Sequence, residues 1–209
     1  MNVPSAATRR STASILVMAV ALLVSTAADL GSKAWAESAL SLPRVGETPP
    51  LCQPDEQGYR DMQRIRSRSV VLVDGWLEFR YAENCGAAFG MLDESPRWIR
   101  AAIFFTAAGA AIVALIWMFV IGNGGPMFAA AVPLIVSGAL GNLVDRVRLG
   151  YVVDFIRFFH RANDSVSFSF EYPTFNVADA TITVGMILFI LDGLKRPAEV
   201  TAQPSVAEE

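Results

Sequence analysis

The chain of 209 residues is 53% hydrophobic and only 18% charged, where an ordinary soluble domain carries about a quarter charged residues, so the composition is that of a membrane protein. Its 17 basic and 20 acidic residues leave a net charge of −3, with no basic excess to hold a phosphate backbone, so nucleic acid is excluded as a partner. One histidine, His160, and two cysteines, Cys52 and Cys85, cannot build a His-rich or Cys-rich metal site, and no HExxH, CxxC, GxSxG or GxxxxGKS/T string occurs, so neither metal nor cofactor is expected.

In chain order, Ser11 to Ala28 is apolar and free of charge and predicts a first membrane span, given that roughly 20 residues of helix cross a bilayer. Arg9-Arg10 and the small residues Ser25-Thr26-Ala27-Ala28 also fit a cleaved signal peptide. From Leu40 to Arg97 the chain reads as an outer loop, with Pro43, Pro49, Pro50, Pro54 and Gly58 early on. Later in that loop, Val70–Val73, Asp74-Gly75 and Trp76–Tyr81 form a hairpin signal. Spans follow at about 99–121 and 126–144, with Trp35 and Trp98 as interfacial anchors. Val166, Phe168, Phe170 and Tyr172 alternate with polar residues and predict another strand, so a small amphipathic sheet is expected beside the helices. The apolar run Ala180–Leu191 is too short to cross unless its helix extends from about Val177 to Leu194, which puts Asp179 in the first turn.

The expected fold is therefore a membrane α-helical bundle of four spans with a small β-sheet and loops on one surface, one domain over 1–196, and a disordered polar tail at 197–209. Arg9 and Arg10 before the first span and Lys195 and Arg196 after the last put both termini in the cytoplasm. Arg146, Arg148, Arg157 and Arg161 in the outer segment 145–176 weaken that charge argument, but the even number of spans is unaffected.

Ionisable groups at membrane depth are costly, so their placement is informative. In this topology Asp29, Lys33, Asn84, Asn142, Asp145, Arg146, Asp154, Asn176 and Asp179 all collect at the outer ends, while the inner ends carry no carboxylate cluster. Each also has a structural role open to it. Asp29 and Lys33 at i, i+4 are commonly a surface ion pair worth about 0.3 to 0.5 kcal/mol. Asn142, Asp145 and Arg146 share one face of a helix end. Asn176 with Asp179 fits a capping box, and Ser137, Gly138 and Gly141 fit close helix packing. Asp154, flanked by Val152, Val153, Phe155 and Ile156, is harder to explain structurally. Burial there raises a carboxyl pKa, and a second carboxylate nearby would make the two share a proton, as water activation without a metal requires.

Asn84-Cys85-Gly86-Ala87-Ala88-Phe89, Gly138 to Arg146, Gly150 to Phe155 and Phe175 to Asp179, in that order, resemble the lipoprotein signal peptidases, the bacterial type II enzymes, from about Ser14 to Lys195. The resemblance implies an aspartic endopeptidase of the bacterial inner membrane, acting as a monomer among membrane lipids. Its substrates would be lipid-modified prolipoproteins, cut before a diacylglyceryl cysteine, and a cyclic peptide such as globomycin would inhibit it. It implies Asp154 and Asp179 as the catalytic pair, supported by Asp29, Lys33, Asn84, Gly86, Asn142, Asp145, Arg146 and Asn176. In this reading Asp145 and Arg146 orient the site, Asn84 and Asn142 hold substrate backbone or lipid-proximal groups, and Asn176 positions the helix bearing Asp179. Residues 40–69 and the stretch 160–171 look longer than the family pattern, and Ser137 stands where glycine is common. Cys52 and Cys85 fall on an oxidising side where a disulfide is an option, but two isolated cysteines are expected to stay unpaired. His160 is expected on the surface. The rival readings are a small proton-coupled transporter, which predicts polar residues continuing across the bundle, and a non-catalytic assembly factor whose aspartates only cap helices.

Overall fold

The computed structural model describes residues 9–54, 59–86, 97–161 and 168–195; Gly58, Ala87–Phe89, Val166, Ser167 and the tail 197–209 lie outside the described residues. Among the described residues four helices are long and apolar enough to cross a membrane: α1 (Thr12–Leu40), α2 (Arg97–Val120), α3 (Pro126–Arg148) and α4 (Val177–Leu194). α3 packs against each of the other three. Apolar side chains such as Val17, Leu23, Val113, Trp117 and Ile187 point outward, as a lipid-facing surface requires.

α1 does not stop at Ala28 but runs for 29 residues. That is a rise of about 44 Å, well beyond a bilayer core of about 30 Å. Its charges do not end it, because Asp29 and Lys33 are neutralised inside the bundle, 1% and 2% exposed. α1 also packs on α3. The last turns carry Trp35, Ala36 and Leu40 out of the spanning region and onto the sheet.

The strands are β1 (Ser41–Pro43), β2 (Arg64–Arg66), β3 (Val70–Val73), β4 (Leu77–Asn84), β5 (Val152–Arg161) and β6 (Phe168–Glu171). β1 pairs with β2, and the other four form one antiparallel sheet in the order β3-β4-β5-β6. The hairpin of β3 and β4 turns at Asp74-Gly75, where Gly75 takes a left-handed φ of 72°. β5 escaped the sequence reading for a physical reason. Tyr151, Val152, Val153, Asp154 and Phe155 are all buried, so the run has no polar face and shows no alternation. Its partners fix it: Asp154 lies opposite Ala82 and Val152 opposite Asn84.

Between sheet and helix end, Ala36, Leu40, Tyr81, Tyr151, Val153 and Phe155 form one core together with Cys52. Two expectations are corrected here. Cys52 and Cys85 are joined in a disulfide, because the fold brings their Cα atoms to 5.5 Å across 33 residues. His160 is not a bare surface residue, since its ring lies 4.1 Å from that of Trp76 in a tilted stack. Trp98 and Trp35 are both exposed, and Trp35 also packs edge-on against Phe79 and Phe155.

Candidate active site

The site is assembled where the ends of α1, α3 and α4 meet β4 and β5. Small residues allow the approach. A Cβ at Gly138 would strike the Ala178 carbonyl of α4, and one at Gly141 would strike the Asp29 carboxylate of α1, so the Gly138 and Gly141 positions serve as the close-packing points expected of them.

The first turn of α4 has backbone N–H groups without helical partners. Asn176 meets this locally: its Oδ1 accepts from the Asp179 N–H at 3.0 Å, while Asp179 Oδ2 accepts from the Asn176 N–H at 3.3 Å, completing the capping box. Asp29 meets it from α1, accepting from the Ala178 N–H at 2.8 Å. The expected cap is therefore present, and it leaves Asp179 Oδ1 free of the cap to accept from Asn142 of α3.

Lys33 lies at the centre of the buried layer. Its ammonium group is 2.9 Å from Asp29 Oδ2 and 3.1 Å from Asp145 Oδ2, and donates to Asn142 Oδ1 at 2.9 Å. The Asp29–Lys33 pair of α1 is thus buried and bonded to both α3 and α4, and is not the surface ion pair that its spacing alone predicts. Asp145 also accepts from the Val153 N–H at 3.1 Å, tying the start of β5 to α3 one residue before Asp154.

Asp154 and Asp179 are joined through two amides. Asn142 donates to Asp179 Oδ1 at 2.8 Å, Asn176 donates to Asn142 Oδ1 at 3.1 Å, and Asn176 also donates to Asp154 Oδ1 at 2.7 Å. Asn84 donates to the other Asp154 oxygen at 3.0 Å and is itself oriented by the Gly86 N–H, 3.1 Å from its Oδ1. Arg146 donates to the carbonyls of Asn142 and Gly86, leaving its charge within reach of Asp145, Asp154 and Asp179. The amides of Asn84 and Asn142, expected to face substrate, hold the two carboxylates here.

The two acids sit in different surroundings. Asp154 is 2% exposed, and burial pushes its carboxyl up to about 7, with the charge of Asp179 adding to the effect. The amides of Asn84 and Asn176 and the charge of Lys33 pull the other way. Asp179 is half-buried and lines an apolar groove of about 510 Å³ between α4 and the sheet, walled by Trp76, Phe158, Phe170, Tyr172, Phe175 and Val184. Sequence reasoning missed this groove. Its signal was the run of large aromatics in 168–175, of which Phe170 and Tyr172 remain exposed. Asp192, also missed, works at the opposite end of α4, accepting from the Gly125 and Phe128 N–H groups at 3.0 and 3.2 Å to cap α3. Among the described residues no group of three or more His, Cys, Asp or Glu side chains is arranged to hold a metal ion.

Fold and site together define a multi-pass α-helical membrane protein whose polar groups gather at one end of the bundle around two aspartates. Residues 19–195 match the family model described as signal peptidase (SPase) II, and the chain belongs to that family. Among its relatives, the lipoprotein signal peptidase of Cupriavidus necator is 41% identical over 125 residues, covering 59% of this chain and 66% of that protein. That of Cupriavidus pinatubonensis is 43% identical over 114 residues and 60% of its length, so the match spans less than two thirds of each Cupriavidus protein. The lipoprotein signal peptidase of Chlorobaculum tepidum is 40% identical over 131 residues, 77% of its length. A solved structure described as a bacterial membrane enzyme, determined in meso at 2.3 Å, shares the fold with a TM-score of 0.59 at 24% identity, covering 94% of this chain and 96% of its own. A second, at 1.9 Å, gives 0.57 at 25% identity, covering 91% and 99%.

Proposed function

We propose that the protein is an aspartic endopeptidase of the bacterial inner membrane that removes signal peptides from prolipoproteins, cutting before the diacylglyceryl-modified cysteine. The observation that carries this reading is the pairing of Asp154 and Asp179, remote in sequence, at the two ends of one Asn142–Asn176 amide link. The groove beside Asp179 supports the substrate class, because its aromatic and aliphatic walls suit an apolar chain delivered from the membrane. The disulfide at the site end supports an oxidising, extracytoplasmic location for the site, with both termini in the cytoplasm.

In the proposed reaction Asp154 is the protonated member, consistent with its raised pKa, and Asp179, more open and at a helix N-terminus, is the ionised one. Water between them loses a proton to Asp179 as its oxygen attacks the scissile carbonyl carbon. Asp154 gives its proton to the carbonyl oxygen, so the tetrahedral intermediate carries two hydroxyls and no net charge. On collapse Asp179 passes its proton to the leaving nitrogen, the C–N bond breaks, and Asp154 recovers a proton from one hydroxyl. Asn84, Asn142 and Asn176 fix the carboxylates throughout, and Lys33 with Arg146 keeps the surrounding charge balanced.

The test is incubation of the purified full chain with a lipidated prolipoprotein and its non-lipidated form, with the product mass read by spectrometry. Cleavage before the modified cysteine in the lipidated substrate only, abolished by Asp154→Asn and by Asp179→Asn, is expected. Appreciable turnover by either folded variant overturns the dyad.

A further inference from the structure

Cys85 stands between two residues that hold the site. On one side is Asn84, whose amide donates to Asp154; on the other is Gly86, whose carbonyl accepts from Arg146 at 3.3 Å. The β4–β5 ladder ends at this point, since Asn84 opposite Val152 is its last pair. Beyond Asn84 the segment is held by the Gly86 contacts and by the disulfide to Cys52. Cys52 is well placed to anchor it. It is 4% exposed and packs among Ala36, Leu40, Tyr81, Tyr151, Val153 and Phe155, the last two flanking Asp154 on β5. Its φ of 57° lies in the left-handed region, which a non-glycine residue keeps only where its surroundings hold it there. The core that carries Asp154 therefore also fixes the neighbour of Asn84.

We propose that the Cys52–Cys85 bridge is a redox-sensitive positioning element of the site: closed, it holds the Asn84 amide on Asp154 and the Gly86 carbonyl against Arg146, and opened by reduction it releases both. Opening takes two electrons and two protons from an external dithiol, which closes to its own disulfide while Cys52 and Cys85 become thiols. Among the described residues the charged groups facing Asp154 are Asp179 from α4, Lys33 from α1 and Arg146 from α3; the first two do not touch the bridged segment, and Arg146, once free of Gly86, keeps its bond to the Asn142 carbonyl at 3.2 Å. Opening therefore removes one stabiliser of the Asp154 carboxylate and leaves the others, so Asp154 titrates at higher pH.

The activity consequence rests on the peptidase reading, but the decisive measurement does not. In the full chain in detergent micelles, the Asp154 carboxyl is titrated by infrared spectroscopy with Asp154→Asn as the blank, comparing oxidised, dithiol-reduced and reoxidised protein and the Cys52→Ser/Cys85→Ser variant. The expected result is an alkaline shift of about half to one pKa unit on reduction, reversed by reoxidation and reproduced by the double variant. Asn84→Ala should show the same shift and no further response to reduction. The proposal is overturned by an unmoved titration once alkylation shows the thiols free, by a bridge that resists reduction in the folded chain, or by an Asn84→Ala protein that still responds. A shift in protein that cleaves no prolipoprotein counts against the peptidase reading and leaves the bridge standing, whereas cleavage with no shift counts against the bridge alone.

Discussion

Replacing Asp154 by Asn should reverse sign in its effect on stability between acid and alkaline pH. In the folded chain burial and the neighbouring Asp179 lift the Asp154 carboxyl from 3.8 to about 7. A carboxyl whose folded pKa lies above its unfolded one binds more protons in the folded state across that interval. Its contribution to stability is therefore fully present below about 4 and is lost as pH rises toward 7. At about 1.4 kcal/mol per pKa unit, the loss between pH 4 and pH 8 is about 4 kcal/mol. The side-chain amide introduced by Asp154→Asn does not titrate and escapes that loss. It does, however, set its own N–H donor against the amides of Asn84 and Asn176, both of which donate to Asp154 in the parent chain. Such a mismatch costs about 1 to 3 kcal/mol at every pH. The variant should thus be less stable than the parent at pH 4 and more stable at pH 8. Thermal unfolding in one detergent, followed at both values, measures the difference, and carboxylates common to the two proteins cancel. An offset that stays constant with pH would refute the burial argument for Asp154.

Cleavage by the unaltered chain should fall about tenfold per pH unit above about 7, as the protonated Asp154 is lost; an activity flat to pH 9 would assign the acid elsewhere. Lys33→Met should lower stability by about 3 to 5 kcal/mol, because it strands Asp29 and Asp145 without their cation, and melting in micelles reads the loss. Gly141→Ala should slow cleavage more than it disturbs insertion, since the added methyl displaces the Asp29 carboxylate that caps α4; unchanged kcat would contradict the close approach. Asp192→Ala should cost about 1 to 2 kcal/mol of stability through the lost α3 cap while leaving the rate per folded molecule unchanged, because Asp192 lies at the far end of the bundle.

The spans were legible because a bilayer imposes a length and a polarity that need no knowledge of neighbours, and α4 begins at Val177 as that requirement predicts. The hairpin at Asp74-Gly75 and the Asn176–Asp179 cap were equally local, each governed by residues within a few positions of one another. Asp154 was singled out by the cost of placing an acid among apolar residues, and its pairing with Asp179 was expected only from the order of the motifs around them. Other features were not legible. Lys33 of α1 meets Asp145 and Asn142, which lie more than a hundred residues away. β5 concealed its alternation at its start, because both faces are covered from Val152 to Phe155. The Asn142–Asn176 link between the aspartates, the aromatic groove beside Asp179 and the Cys52–Cys85 bridge depend on distances across elements that no spacing along the chain encodes. Sequence alone thus determined where the chain enters lipid and which side chains are too costly there to be incidental. Only tertiary packing decided which of them meet, because desolvation is a property of the residue and its segment, whereas a hydrogen bond or ion pair needs two groups brought within about 3 Å.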